Sequence, residues 1–179
     1  AISFNDNCVD IKIYYNKKYD SVFVSSKPSL RSVVILNNVK PAVGNEKTNI
    51  EVIRERGTNV ITVSGRFRKD VDSLITYATV QNPTQFAMLV FKHRLESRGI
   101  RVNGYAIDID DYERVINYSD VDLLFVSYSE KLSEIIKVIN KGSQNFFAEQ
   151  LLKTIGLEIL GFGSVTNGVT AAKEVFANI

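Results

Sequence analysis

A change in hydrophobic period constrains this chain more than any other feature. Apolar residues alternate from Val9 to Val80 and recur at three- and four-residue steps from Glu130 onward. A period near two sets side chains on opposite faces of a strand, and one near 3.6 gathers them on one face of a helix. The alternating half holds Val9-Asp10-Ile11-Lys12-Ile13-Tyr14 and the runs at 21–24, 32–36, 59–63 and 74–80. These runs are short, rich in β-branched and aromatic residues, and separated by turn-forming Asn, Lys, Gly and Pro, which predicts a meandering sheet.

Helical spacing begins at 83–98, where Phe86, Leu89, Val90 and His93 recur on one face. Pro83 suits an early helix position and Gly99 a stop. Ile100-Arg101-Val102-Asn103-Gly104-Tyr105-Ala106 reads as a strand, and 108–113 as an acidic connector. Asp108, Asp110 and Asp111 do not form a calcium loop, because no Gly stands at the sixth position from Asp108 and no Glu at the twelfth. After the apolar run Leu123-Leu124-Phe125-Val126, the spacing predicts helices near 130–140, 144–155 and 165–176. The second of these is expected to bury Phe147, Leu151 and Ile155.

Composition narrows the function classes. At 45% hydrophobic and 23% charged residues, the 179-residue chain is an ordinary globular sequence of one medium domain or two small ones. A net charge of +2 with scattered cations gives no support to a nucleic-acid surface, and Arg66-Phe67-Arg68-Lys69 reads as a solvated hairpin end. No apolar run approaches the ~20 residues of a membrane span. One cysteine, Cys8, and one histidine, His93, give neither an internal disulfide nor a metal-ligand pattern. His93 reads as a core or boundary residue, since no second His or nearby Cys partners it.

Between two helical patterns lies Lys141-Gly142-Ser143-Gln144-Asn145, a Ser-x-Asn triplet at a junction. Local chemistry reads it as a helix stop at Gly142 followed by a cap, in which a Ser or Asn oxygen accepts from a free N–H of the next turn. The segment from Asn140 to Gly156 also closely resembles the second motif of the class C low-molecular-mass penicillin-binding proteins, the D-alanyl-D-alanine carboxypeptidase/endopeptidase family. Further segments are similar to that family in the same order. They are Ala1 to Ile11, Asn59-Val60-Ile61-Thr62-Val63-Ser64-Gly65-Arg66, Gln81-Asn82-Pro83, Leu95-Glu96-Ser97-Arg98-Gly99-Ile100, and Gly163 to Ile179.

The resemblance implies a serine acyl-enzyme mechanism without metal or organic cofactor, acting on peptidoglycan peptide stems in the periplasm or cell envelope and inhibited by β-lactams. A Ser-x-x-Lys motif supplies the nucleophile, Ser-x-Asn one wall, and Lys-Thr-Gly the opposite wall. It assigns Ser143 to proton relay toward the departing D-alanine amine. It assigns Asn145 to hydrogen bonds with the substrate carbonyl and the active-site lysine. A hydroxyl that donates and accepts, and a planar carboxamide, suit those tasks. No serine here is followed three residues later by lysine, and Lys153-Thr154-Ile155-Gly156 carries an extra Ile and fits inside a helix. Family order would place the nucleophile before Ala1 and Lys-Thr-Gly after Ile179, so the chain is expected to be an internal piece, inactive alone.

The expected architecture is α+β. An accessory inserted region of short strands and one helix runs over 1–120, and the helical part of an incomplete penicillin-binding-protein/β-lactamase-like catalytic domain over 121–179. Uncovered helix faces are expected to leave Leu132, Ile136, Phe146 or Leu152 partly exposed and to favour self-association. Two other classes stand beside this reading. One is a non-catalytic peptidoglycan-binding or scaffold relative; the other is a small α+β interaction domain in which Ser143 is only a cap.

Overall fold

The computed structural model describes residues 2–177 apart from 114, 118, 120 and 124. Leu124 of the apolar run, and the Ala1 and Ile179 ends of the segments quoted for the resemblance, therefore lie outside the described residues. The fold is α+β and divides into two units, 1–116 and 117–179.

The first unit carries two three-stranded sheets. In one, β1 (Cys8–Asn16) lies between β2 (Ser21–Lys27) and β6 (Leu74–Thr79), antiparallel to both. In the other, β5 (Val60–Phe67) lies between β3 (Val34–Pro41) and β4 (Asn49–Arg54), parallel to the first and antiparallel to the second. The expected meander is thus replaced by two sheets. Alternation explains why: Val9, Ile11 and Ile13 of β1 and Ile61, Val63 and Phe67 of β5 are fully buried in one shared core, so each central strand turns one face inward and needs neighbours on both edges. Asn37 ties the two sheets together, donating from Nδ2 to the Val22 carbonyl at 2.8 Å while its Oδ1 accepts from the Val39 N–H at 3.1 Å.

Gly65 has a specific steric task in β5. Its φ is +119°, and a Cβ there would stand 1.9 Å from the Asn49 carbonyl oxygen. No side chain fits at that approach of β4 to β5.

Helix α1 (Pro83–Glu96) begins at Asn82, whose side chain accepts from the Gln85 N–H at 2.9 Å, with Pro83 in the first turn as expected. Gly99, at φ +82°, follows its end. Phe86, Ala87 and Val90 are buried, whereas His93 is exposed, so the helix turns its imidazole away from the face that enters the core. The segment 100–106 is not a strand, because it finds no ladder partner among the described residues. A 3₁₀ turn occupies Ile109–Asp111, as a solvated connector would.

The second unit comprises α2 (Leu132–Gly142), α3 (Asn145–Leu160) and α4 (Val165–Ala177). Helix α3 runs five residues beyond the expected end at 155, since Lys153-Thr154-Ile155-Gly156 continues its period. Its crossing with α4 is made by small residues: Gly156, Gly168 and Ala171 are buried, and a Cβ on Gly168 would lie 2.2 Å from the Leu152 carbonyl oxygen. The expected burial of Phe147 is not realised, for it is 37% exposed, and Leu151 and Ile155 are half-buried. Leu132 and Ile136 are exposed and Phe146 and Leu152 half-buried, in line with the uncovered faces expected.

Candidate active site

Ser143 does not occupy the conformation that its neighbours suggest. Gly142 completes α2 in helical geometry, and Ser143 takes the left-handed turn, with φ 50° and ψ 43°. Its N–H and that of Gln144 both return to the Ile139 carbonyl, which closes the helix end. A Cβ on Gly142 would meet only the Gln144 side chain, at an ordinary 3.6 Å. The residue free to adopt the left-handed form is therefore one place too early, and serine carries a conformation that costs an L-residue about 1–2 kcal/mol.

The hydroxyl does not repay that strain as a cap. Gln144 stands at the N-cap of α3 and no side chain caps the helix. Neither the Ser143 hydroxyl nor the Asn145 carboxamide has a hydrogen-bond partner among the described residues. Ser164 provides the contrast: its Oγ accepts from the Asn167 N–H at 3.0 Å and its carbonyl from the Gly168 N–H at 3.0 Å, which is the work of an N-cap. Both Ser143 and Asn145, the first residue of α3, are exposed at the α2–α3 junction. The expected stop at Gly142 and the cap at Ser143 are thus corrected, and two polar side chains are left uncommitted.

The neighbouring surface is apolar. A groove of about 600 Å³ runs between α2 and α3, lined by Leu132, Ile135, Phe146, Phe147 and Leu151 with Ser129 and Glu130 at one side. Ser143 and Asn145 do not line it. The Lys153-Thr154-Ile155-Gly156 segment is helical throughout. Lys153 pairs with Glu149 at 2.6 Å, the Thr154 hydroxyl donates to the Gln150 carbonyl at 2.9 Å, and Gly156 faces Gly168 across the helix crossing. Each residue has a helical role, and none belongs to a Lys-Thr-Gly strand. Among the described residues no group of three His, Cys, Asp or Glu side chains is placed to hold a metal ion.

Comparison with known proteins gives the chain's family and fold relatives. The profile of the D-Ala-D-Ala carboxypeptidase 3 (S13) family matches residues 1–179. A D-alanyl-D-alanine carboxypeptidase of Actinomadura sp. (strain R39) is 32% identical over 141 residues, which cover 79% of this chain and 26% of that protein. The chain thus spans about a quarter of that relative's length. Penicillin binding protein 4 (dacB) from Haemophilus influenzae superposes with a TM-score of 0.73 at 19% identity, over 98% of this chain and 38% of that one. A second structure of that protein, complexed with a β-lactam, superposes at 0.64 and 19% identity over 99% of this chain and 40% of that one. These likenesses show a shared fold. Matched by the family profile along its whole length, the chain belongs to the D-Ala-D-Ala carboxypeptidase 3 (S13) family.

Proposed function

We propose that this chain forms one part of a serine-type D-alanyl-D-alanine carboxypeptidase or endopeptidase that cleaves peptidoglycan peptide stems in the bacterial envelope. The nucleophilic serine and the Lys-Thr-Gly wall come from residues other than these. In this reading 1–120 is an accessory region and 121–179 contributes the Ser-x-Asn wall. The nucleophile's oxygen attacks the penultimate D-alanine carbonyl, the C–N bond breaks, Ser143 passes a proton to the departing amine, and water hydrolyses the acyl-enzyme. Asn145 holds the substrate carbonyl and the active-site lysine. β-Lactams acylate the same nucleophile, with the ring amide in place of the peptide bond.

The observation that carries this reading is Ser143 in a strained left-handed turn with its hydroxyl unused by either helix. A serine kept there for folding would cap α3, as Ser164 caps α4. The test is Ser143→Ala, and separately Asn145→Ala, in an enzyme that carries this segment together with Ser-x-x-Lys and Lys-Thr-Gly. Turnover of a D-Ala-D-Ala peptide is expected to fall by about a hundred- to ten-thousandfold in the serine variant, the usual worth of a general acid–base group. Turnover unchanged by both substitutions would overturn the assignment and leave Ser143 and Asn145 without a part in the chemistry.

A further inference from the structure

A cleft in the first unit is lined by cations brought from three places in the sequence. It holds about 1040 Å³ and is bordered by Lys40, Lys47, Arg66, Arg68 and Lys69, with Asp20 and Asp70 as its acidic members. The sequence shows only Arg66-Phe67-Arg68-Lys69, read above as a solvated hairpin end. In the fold Phe67 is fully buried, which fixes the alternation and turns Arg66 and Arg68 outward from the end of β5. Lys40 then becomes the cross-strand partner of Arg66 in the parallel β3–β5 pair, and Lys47 arrives on the β3–β4 connection.

Three of the five cations are matched by carboxylates. Arg66 lies 3.6 Å from Glu46, Arg68 and Asp70 form a two-pronged pair at 2.8 and 2.5 Å, and Lys69 meets Asp20 at 2.7 Å. Hydrogen bonds from Lys69 and then Tyr15 hold the Asp20 carboxyl below its ordinary range. Lys40 and Lys47 form no ion pair among the described residues. Counting Glu46, the cleft keeps two cations in excess, and one of these, Lys40, stands directly across from another positive residue. Like charges in register on neighbouring strands repel one another. A concave surface with an excess of one sign also concentrates counter-ions.

We infer that this cleft is a binding site for a multivalent anion carrying carboxylate or phosphate groups, with Lys40 and Lys47 as its uncommitted contacts. The cleft already seats carboxylates of its own chain on Arg66, Arg68 and Lys69. A bound anion would bridge Lys40 and Arg66 and remove their repulsion. The site is built from residues 20–70 and stands apart from the Ser143 reading, so either can fail without the other.

The test titrates the 179-residue chain with tripolyphosphate and with citrate at low and high salt. At least one is expected to bind with a Kd below about 1 mM at low salt and to weaken as salt rises. Lys40→Gln and Lys47→Gln should each weaken binding about threefold or more. Lys12→Gln, on the β2-β1-β6 sheet, should leave it unchanged. Lys40→Gln should also raise the melting temperature of the ligand-free chain, because it removes the like-charge pair. The ratio of the two affinities separates a phosphate from a carboxylate ligand. Absence of binding by both anions at millimolar concentration, equal loss in Lys12→Gln, or a lower melting temperature for Lys40→Gln would each overturn the inference.

Discussion

At the residue scale, the informative positions are those where a side chain and its backbone disagree. Ser143 accepts a left-handed conformation beside a glycine that does not use its freedom. Gly65 is the opposite case, since its absent side chain is what lets β4 lie against β5. Gly65→Ala is predicted to destabilise the chain by more than about 2 kcal/mol, because the β-carbon meets backbone that cannot swing aside; chemical denaturation checks it, and a loss below that size would mean that β4 separates cheaply. Cys8 yields a pH-dependent prediction. Partial burial, then the charges of Asp6 and Asp10, raise its thiol above the ordinary thiol range. The folded state therefore favours the neutral thiol, and the associated stability is complete below the ordinary thiol value and lost as pH rises through the higher folded one. Alkylation by iodoacetamide at pH 8 should be slower than for a free cysteine, and a rate equal to or above it would contradict the shift.

At the scale of elements, local period identified most strands and every α-helix among the described residues, while pairing stayed hidden. The strand Asn49–Arg54 is not legible in the sequence although Ile50 and Val52 alternate with Glu51, because Ile53, 54% exposed, breaks the alternation. The segment 100–106 looked equally strand-like and found no partner. Alternation reports which face of a segment is apolar, not whether a ladder exists beside it. The parallel β3–β5 pairing, and with it the meeting of Lys40 and Arg66, depends on contacts distant in sequence. The Ser-x-Asn motif was visible as a pattern, but the left-handed serine was not, since a neighbouring glycine made the wrong residue the natural stop. Where α3 crosses α4, Gly168→Ala would drive a methyl into the Leu152 carbonyl and separate the helices. It is predicted to cost about 2–4 kcal/mol and to lower hydrogen-exchange protection in both helices, with no effect on β1 or β5. Loss confined to α4, or none, would mean that the crossing relaxes.

At the scale of the whole molecule, the chain is a family segment whose two units differ in how well they enclose themselves. The first has a shared core of two sheets and α1. In the second, Leu132, Phe162 and Phe176 are 54%, 69% and 74% exposed. Every 100 Å² of such surface left wet forfeits about 2.5 kcal/mol. The chain by itself is therefore predicted to self-associate through residues 130–176, and light scattering showing a strict monomer at high concentration, with strong exchange protection of those helices, would contradict this. With no Ser-x-x-Lys, it is also predicted to form no stoichiometric adduct with a labelled penicillin. The central claim remains that Ser143 is kept for chemistry at the expense of folding, and Ser143→Gly separates the two most directly. In an enzyme carrying this segment, glycine relieves the left-handed strain and deletes the hydroxyl, so folding stability should rise by about 0.5–1 kcal/mol while D-Ala-D-Ala turnover falls at least about a hundredfold. Reduced stability together with unchanged turnover would contradict the account and return Ser143 to a structural role.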